Sequence, residues 1–246
     1  MSIQSVMNRK HEQDMKAHAG ISQFFSPDSM QRLQSIMYPR SATAGSHLFW
    51  EGEVSDKLYF VKKGMIHITK SADNGRMLTL HLHPAGDLFG QMDPFHDSVH
   101  SFNAEVMEDS EIGVILQKDL EVLLWQHGDL AIEFMKWMGL QHRMTQAKFR
   151  DLMLFGKSGA LCSLLIRLSN TYGVERDNLT FISRKLTNTQ MADMIGTSRE
   201  SVNRMLSDMK KDGIISVEDG CIAIHDRGYL QNICRCENCP IELCRM

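Results

Sequence analysis

Four of the six cysteines in this chain fall in its last thirteen residues, as Cys234, Cys236, Cys239 and Cys244, in the spacing Cys-x-Cys-x2-Cys-x4-Cys. Thiolates crowded this closely repel one another until something neutralises or joins them, so the spacing admits an iron-sulfur cluster, a structural zinc or a disulfide. The remaining two cysteines stand apart. Cys162, among Leu161, Leu164, Leu165 and Leu168, reads as a core thiol, and Cys221, next to Gly220, as structural. His96, Asp97 and His100 form a second and weaker metal candidate, because loop histidines are ordinarily just solvated. A third group is Arg199, Glu200, Ser201, Asn203 and Arg204. Arginine can pair bidentately with guanine and a carboxylate can accept from cytosine N4, so this group offers base-reading chemistry.

These groups sit in a chain of 246 residues with 43% apolar and 23% charged residues, a composition that suits a soluble protein of two compact domains. The N-terminal stretch is polar around Arg9, Lys10, His11, Glu12 and Asp14, and no run is long and apolar enough to read as membrane-spanning. The expectation is a cytoplasmic protein with no membrane partner, and in a reducing compartment a cysteine cluster is more often a metal or sensing site than a disulfide framework. Net charge is -3, yet Arg184, Lys185, Arg199, Arg204, Lys210 and Lys211 oppose only Asp193, Glu200 and Asp208 between positions 184 and 211. Six cations less three anions leave that stretch locally +3, a positive island suited to phosphates.

The elements that must position these groups follow from periodicity and punctuation. Ser26-Pro27-Asp28 is a start signal for a helix over Met30 to Met37, after residues 1 to 20 that read as poorly ordered. From Thr43 short β-rich runs alternate with turns, among them Lys57 to Gly64, Met65 to Lys70 and Met77 to His83, with a hairpin at Asn74-Gly75 and with His81 and His83 on one face. That texture predicts a β-roll of the jelly-roll kind.

A helical pattern then runs from Gly128 to about Leu154, with Leu130, Phe134, Trp137, Met144 and Asp151 on heptad steps and Gln141 and Lys148 between them. The stripe suits a dimerisation helix, or else a helix packed on its own domain. Asp151 is the odd member: a carboxylate on an otherwise apolar stripe needs a partner, or lies where the helix has already left the interface. Phe155 to Gly159 reads as a hinge before a further amphipathic helix, Ala160 to Asn170.

Thr187 to Met209 reads as helix, tight turn at Gly196, helix, with capping boxes at Thr187/Gln190 and Thr197/Glu200. Val202, Met205, Leu206 and Met209 form the buried stripe of the second helix, and the base-reading group occupies the opposite face. A hairpin over Ile214 to His225 supplies a wing. The fold class expected is therefore α+β: a β-roll, a long dimerisation helix and a winged helix-turn-helix domain. The corresponding segments are 1–23 as an extension, 24–127, 128–155, 156–230 and a cysteine-rich tail at 231–246.

This order of elements resembles the Crp/Fnr family of bacterial transcription regulators over roughly Phe24 to Leu230, most clearly in Gly196-Thr-Ser-Arg199-Glu200-Ser-Val-Asn203-Arg204. Arg199, Glu200 and Arg204 match the pattern with which cyclic-AMP-type members read TGTGA half-sites, so the resemblance implies a TGTGA-N6-TCACA palindrome, with RNA polymerase as a further partner of a homodimer. Glycines 45, 52, 64, 75, 86 and 90 follow the order of cyclic-nucleotide-binding rolls. That resemblance fails at the pocket, because Gln91 stands where a glutamate is usual and 99–104 lacks the arginine. A buried phosphate without a cation is costly, so no cyclic nucleotide is expected.

The tail resembles that of Fnr regulators of the Bacillus type. In those, three cysteines spaced as Cys236, Cys239 and Cys244 hold one 4Fe-4S cluster per subunit, and the fourth ligand resembles an aspartate for which Asp151 is the match, with Cys234 as its rival. The function this implies is an oxygen-responsive regulator of anaerobic genes, and no enzyme. Alternatives are a zinc- or dithiol-switched regulator of the same fold, or a small-molecule-binding module or redox enzyme.

Overall fold

A computed structural model describes residues 24–72, 75, 77–92, 98–176 and 179–246. The extension at 1–23, Asn74 of the expected hairpin, and His96 and Asp97 of the weaker metal candidate lie outside the described residues.

The described residues divide by contacts into two units, one within 24–70 and 80–139, the other within 71–79 and 140–246. In the first, Ser26 caps α1 (Pro27–Ser35), with the proline at the start where its missing N–H costs nothing. Six strands follow: β1 (Tyr38–Ala42), β2 (His47–Phe49), β3 (Lys57–Ser71), β4 (Met77–Pro84), β5 (Leu88–Gly90) and β6 (Asn103–Leu116). They form an antiparallel roll in the order β1-β6-β3-β4, with β2 added on β6 and β5 on β3. Alternation along the strands divides the interior. Tyr59, Phe89 and Val114 join the core inside the roll, while their neighbours Leu58, Leu88 and Ile115 pack with Leu33 of α1 and Leu120 of α2 (Gln117–Gln126).

Sequence punctuation divides β3 at Gly64, whereas the structure carries one strand through it. Gly64 has φ +93, and a Cβ there would meet the Ser110 hydroxyl at 2.1 Å, so the glycine marks a bulge against β6 rather than a turn.

The long helix is α3 (Gly128–Tyr172), broken at Gly156, whose φ of 59° and ψ of -163° no helix interior tolerates. The break falls within the expected hinge. On the first part of α3, Leu130, Phe134 and Trp137 are buried in their own unit's core with Phe25 and Leu33. The heptad stripe is thus an intrachain stripe there. The apolar face that α3 exposes is a different one, with Ile132, Met135 and Met138 early and Phe149, Met153 and Leu154 late. A window of α3 is apolar enough by composition to cross a membrane, but 61% of it is buried inside the protein, as in a core helix.

In the second unit, Leu161, Leu165, Ile166 and Leu168 of α3 form the centre of a core. Around it stand a sheet of order β7-β8-β10-β9 and three helices. The strands are β7 (Gly173–Arg176), β8 (Leu179–Ile182), β9 (Ile215–Glu218) and β10 (Cys221–Ile224), and the helices α4 (Asn188–Met194), α5 (Arg199–Lys211) and α6 (Arg227–Ile233). The wing β9–β10 turns on Asp219 and Gly220, both at positive φ, as a two-residue hairpin loop demands.

Candidate functional site

The helix-turn-helix is built by two caps and one glycine. Thr187 and Gln190 cap α4 reciprocally, the Thr187 hydroxyl accepting from the Gln190 backbone N–H at 3.1 Å and the Gln190 side-chain Oε1 accepting from the Thr187 backbone N–H at 2.9 Å. Gly196, at φ +62, turns the chain in the left-handed region. The second cap differs from the sequence expectation. Ser198, not Thr197, accepts from Ser201 N at the start of α5, and the Thr197 hydroxyl is buried with no hydrogen-bond partner among the described residues. Glu200 is consequently free of a capping-box role. Its carboxyl is held below the usual range by its own backbone N–H and by the Ser198 side chain.

Burial of Val202, Leu206 and Met209, with half-buried Met205, fixes the rotation of α5 about its axis. Arg199, Glu200, Asn203 and Arg204 are exposed on the far side and Ser201 is half-buried at the edge. Asn203 Oδ1 accepts from Asn188 Nδ2 at 3.1 Å, a link from the first helix of the motif to the second. The exposed face therefore offers two guanidinium groups, one carboxylate and one amide at the N-terminal half of a helix, the donor and acceptor set of a major-groove reader.

The tail is assembled around the part of α3 that flanks the Gly156 break. Asp226 caps α6 through Tyr229 N, Cys234 is the cap residue after its last turn, and Arg235 and Asn238 take positive φ as the chain bends back. Arg167 Nη1 donates to Leu243 O at 2.9 Å, Asn170 Nδ2 to Cys244 O at 2.6 Å, and Met246 N to Thr171 Oγ1 at 3.0 Å. Three polar side chains within five residues of α3 thus hold Leu243, Cys244 and Met246.

Asp151 lies in this corner, 2% exposed. Its Oδ1 accepts from Arg150 Nε and Nη2 at 3.1 and 2.7 Å, and its Oδ2 from Arg167 Nη2 at 3.2 Å and from the Ser163 hydroxyl. Arg150 also meets Glu237, between Cys236 and Asn238, at 2.5 Å. The partner that a carboxylate on an apolar stripe requires is therefore a pair of arginines, and the structure draws Asp151 to the cysteine-bearing loop through both.

The thiols differ among themselves. Cys234 is buried and donates to Gln231 O, while burial pushes its thiol up to about 11 and that of neighbouring Cys162 up to about 12. Burial also pushes Cys244 up to about 11, opposed by Arg167 and reinforced by Cys239 and Cys236. Cys236 and Cys239 are half-buried against the same core, and Cys221 donates to Ser183 O on the sheet. No three His, Cys, Asp or Glu among the described residues are arranged as a ready metal-binding group. Sequence reasoning missed Arg150, Ser163, Arg167 and Glu237. The available signal was Arg167, a lone cation in the apolar run Leu161 to Leu168.

In the roll, Gln91 Oε1 accepts from Ser101 N at 2.8 Å and its Nε2 donates to Ser101 Oγ at 3.3 Å, so its amide is already engaged. His83 is buried and paired with Asp87 at 3.2 Å, and His81 stacks on it. His100 is buried and stacked on Phe49, and burial pushes its pKa down.

A β-roll, a long helix and a winged helix-turn-helix with a polar outward recognition face define a DNA-binding transcription regulator. The comparisons agree. A model described as "Crp-like helix-turn-helix domain" matches residues 159–233, and one described as "Cyclic nucleotide-binding domain" matches 39–127. The "Anaerobic regulatory protein" of Bacillus subtilis (strain 168) is 44% identical over 92% of this chain and 95% of its own length. A "CRP-like cAMP-activated global transcriptional regulator" of Mycobacterium tuberculosis is 24% identical over 87% of this chain and 95% of its own. Among solved structures, a CooA variant from Carboxydothermus hydrogenoformans superposes with a TM-score of 0.71 at 18% identity, covering 82% of this chain and 89% of that one. This chain belongs to the Crp/Fnr family of transcription regulators, which are not enzymes.

Proposed function

We propose that this protein is an oxygen-responsive regulator of anaerobic genes, a cytoplasmic homodimer that binds a TGTGA-N6-TCACA-type palindrome while a 4Fe-4S cluster is held by Cys236, Cys239, Cys244 and Asp151. RNA polymerase is its further partner at promoters. The observation that carries this reading is the docking of the cysteine loop on the Asp151 turn of α3, through Arg150 to Glu237 and Arg167 to Leu243 O.

The residues fit such a group by their chemistry. Cys236, Cys239 and Cys244 are soft donors within one short loop packed on a shared core, and burial of Cys244 raises the cost of its free thiolate, a cost that a bound cation offsets. The cluster supplies an oxygen-labile centre when bound. Cys234 is the rival fourth donor: its thiol donates to the Gln231 carbonyl but also lies near Cys236, Cys244 and Asp151. For Asp151 to serve, Arg150 must give up Oδ1. That guanidinium is partly exposed and already has Glu237 as a second partner.

On the DNA side, Arg199 and Arg204 donate to guanine and Glu200 accepts from cytosine, with Ser201 and Asn203 completing the face. Two copies of α5 must then stand about one helical turn, roughly 34 Å, apart. The exposed apolar residues of α3, Ile132, Met135, Met138, Phe149, Met153 and Leu154, supply the surface for the second subunit. The roll takes no cyclic nucleotide, since Gln91 is engaged with Ser101 and no Lys or Arg occurs from 91 to 117.

Purification without oxygen, followed by iron, sulfide and zinc analysis, tests the cofactor. Near-equal iron and sulfide with a visible absorption band is expected, and a colourless protein with zinc alone sinks the reading. Asp151→Ala cannot by itself assign the ligand, because it also strands two arginines. Asp151→Asn compared with Cys234→Ser is the better pair. A weakened or spectrally altered cluster is expected only in the first, and the reverse pattern makes Cys234 the ligand.

A further inference from the structure

Arg167 is 4% exposed, in the middle of the apolar part of α3 that follows the break. A buried guanidinium is tolerated only where its donors are matched. Here each of its three nitrogens goes to a different partner. Nε donates to Ser163 Oγ at 3.2 Å one turn earlier, Nη2 to Asp151 Oδ2 at 3.2 Å before the break, and Nη1 to Leu243 O at 2.9 Å in the tail. Leu243 immediately precedes Cys244, and Ser163 also bonds Asp151.

We propose that Arg167 is the positioning residue of the tail site: its planar fork holds the Asp151 carboxylate and the Leu243 carbonyl at once, setting the helix-borne oxygen donor and the last cysteine in one fixed relation. The other anchors do not combine these tasks. Asn170 and Thr171 fasten Cys244 O and Met246 N without touching Asp151. Arg150 joins Asp151 to Glu237, but at the rim, where Glu237 is 69% exposed and the pair is screened by solvent. A lysine at 167 would keep the charge and lose the fork, since one ammonium cannot reproduce two fixed donor directions. Arg167 therefore predicts a difference between charge and geometry that a generic buried ion pair does not.

The proposal rests on the tail reading for its purpose, but its test needs no cluster. Full-length metal-free protein, kept reduced, is treated with iodoacetamide, and the alkylation of each cysteine is followed by mass spectrometry of peptides. Thermal melting serves as the fold control. Arg167→Lys is expected to stay folded while Cys244 is alkylated about tenfold faster, with Cys162 unchanged, as for a local rather than a global opening. Ser163→Ala, which leaves the Arg167–Asp151 pair in place, is expected to shift Cys244 in the same direction by less, and stands in if the Arg167 variants do not fold. A wild-type Cys244 rate in Arg167→Lys, no change in Ser163→Ala, or a parallel rise at Cys162 overturns the proposal. Iron and sulfide uptake by the wild type is measured separately. Protein that takes up neither, yet shows the Arg167 dependence, keeps the positioning role and loses only the cluster reading.

Discussion

On α5, Arg199, Glu200, Asn203 and Arg204 stand in solvent, whereas in the tail corner Asp151 and Arg167 are nearly wholly buried. Both regions use guanidinium and carboxylate groups. On α5 they come from one turn and a half of helix, pointed outward by the burial of Val202, Leu206 and Met209, and they await a partner from outside. In the corner they come from three separated segments and are saturated by one another. A charged group on the open face stays in solvent, and Glu200 is held only by its own backbone N–H and the Ser198 side chain. One in the corner is committed to the fold, so changing it alters stability before it alters any cofactor.

The largest expected effect breaks that contrast from the buried side. Asp151→Ala leaves Arg167 without its buried counter-charge and should destabilise the C-terminal domain by about 3–5 kcal/mol in metal-free protein, read by urea unfolding. Unchanged unfolding would mean the corner is as open as the recognition face. From the exposed side, Arg204→Ala should cost about 1–3 kcal/mol of discrimination at one base pair of each half-site, with the urea midpoint unchanged. A uniform loss across all sequences would reduce Arg204 to a phosphate contact.

Two smaller changes sharpen the boundary between the regions. Arg150→Ala should cost about 1–3 kcal/mol, less than Asp151→Ala, because it leaves the buried Asp151 Oδ1 without its two donors while Arg167 still pairs Oδ2. A loss as large as that of Asp151→Ala would make Arg150 the equal of Arg167 in the buried network. Ser198→Ala should cost about 1 kcal/mol by removing the cap of α5, while Thr197→Val should cost nothing of the kind, and the opposite order in thermal melts would restore the Thr197 capping box.

What could be read from the sequence follows the same division. The Ser26 and Thr187 caps, the Gly196 turn, the apolar stripe of α5 and the Asp219-Gly220 wing are local patterns, and the Crp/Fnr architecture is carried by them, while the cap of α5 falls one residue later than its capping-box pattern indicated. Asp151 was recognisable as a misfit on an apolar stripe, but its partners Ser163 and Arg167 lie 12 and 16 residues further on, and the Leu243 carbonyl that Arg167 also holds lies 92 residues on, beyond any periodicity. The stripe on α3 was detectable too, though not which face it served. Leu130, Phe134 and Trp137 look alike as an interface or a core until Phe25 and Leu33 are seen packed on them. Gly64 misled for a related reason, since a glycine at a bulge and one at a turn have the same sequence signature until the Ser110 side chain is placed against it.

The central claim, that the tail corner controls the open face of α5, is tested most directly by DNA binding before and after air at one fixed salt concentration. Anaerobic protein carrying iron and sulfide should bind the TGTGA-N6-TCACA palindrome at least about tenfold more tightly than the same protein after its visible band has been bleached, a coupling of about 1.4 kcal/mol or more. Cys239→Ser should bind weakly under both conditions. Equal affinity before and after bleaching, or full affinity in Cys239→Ser, would contradict the account.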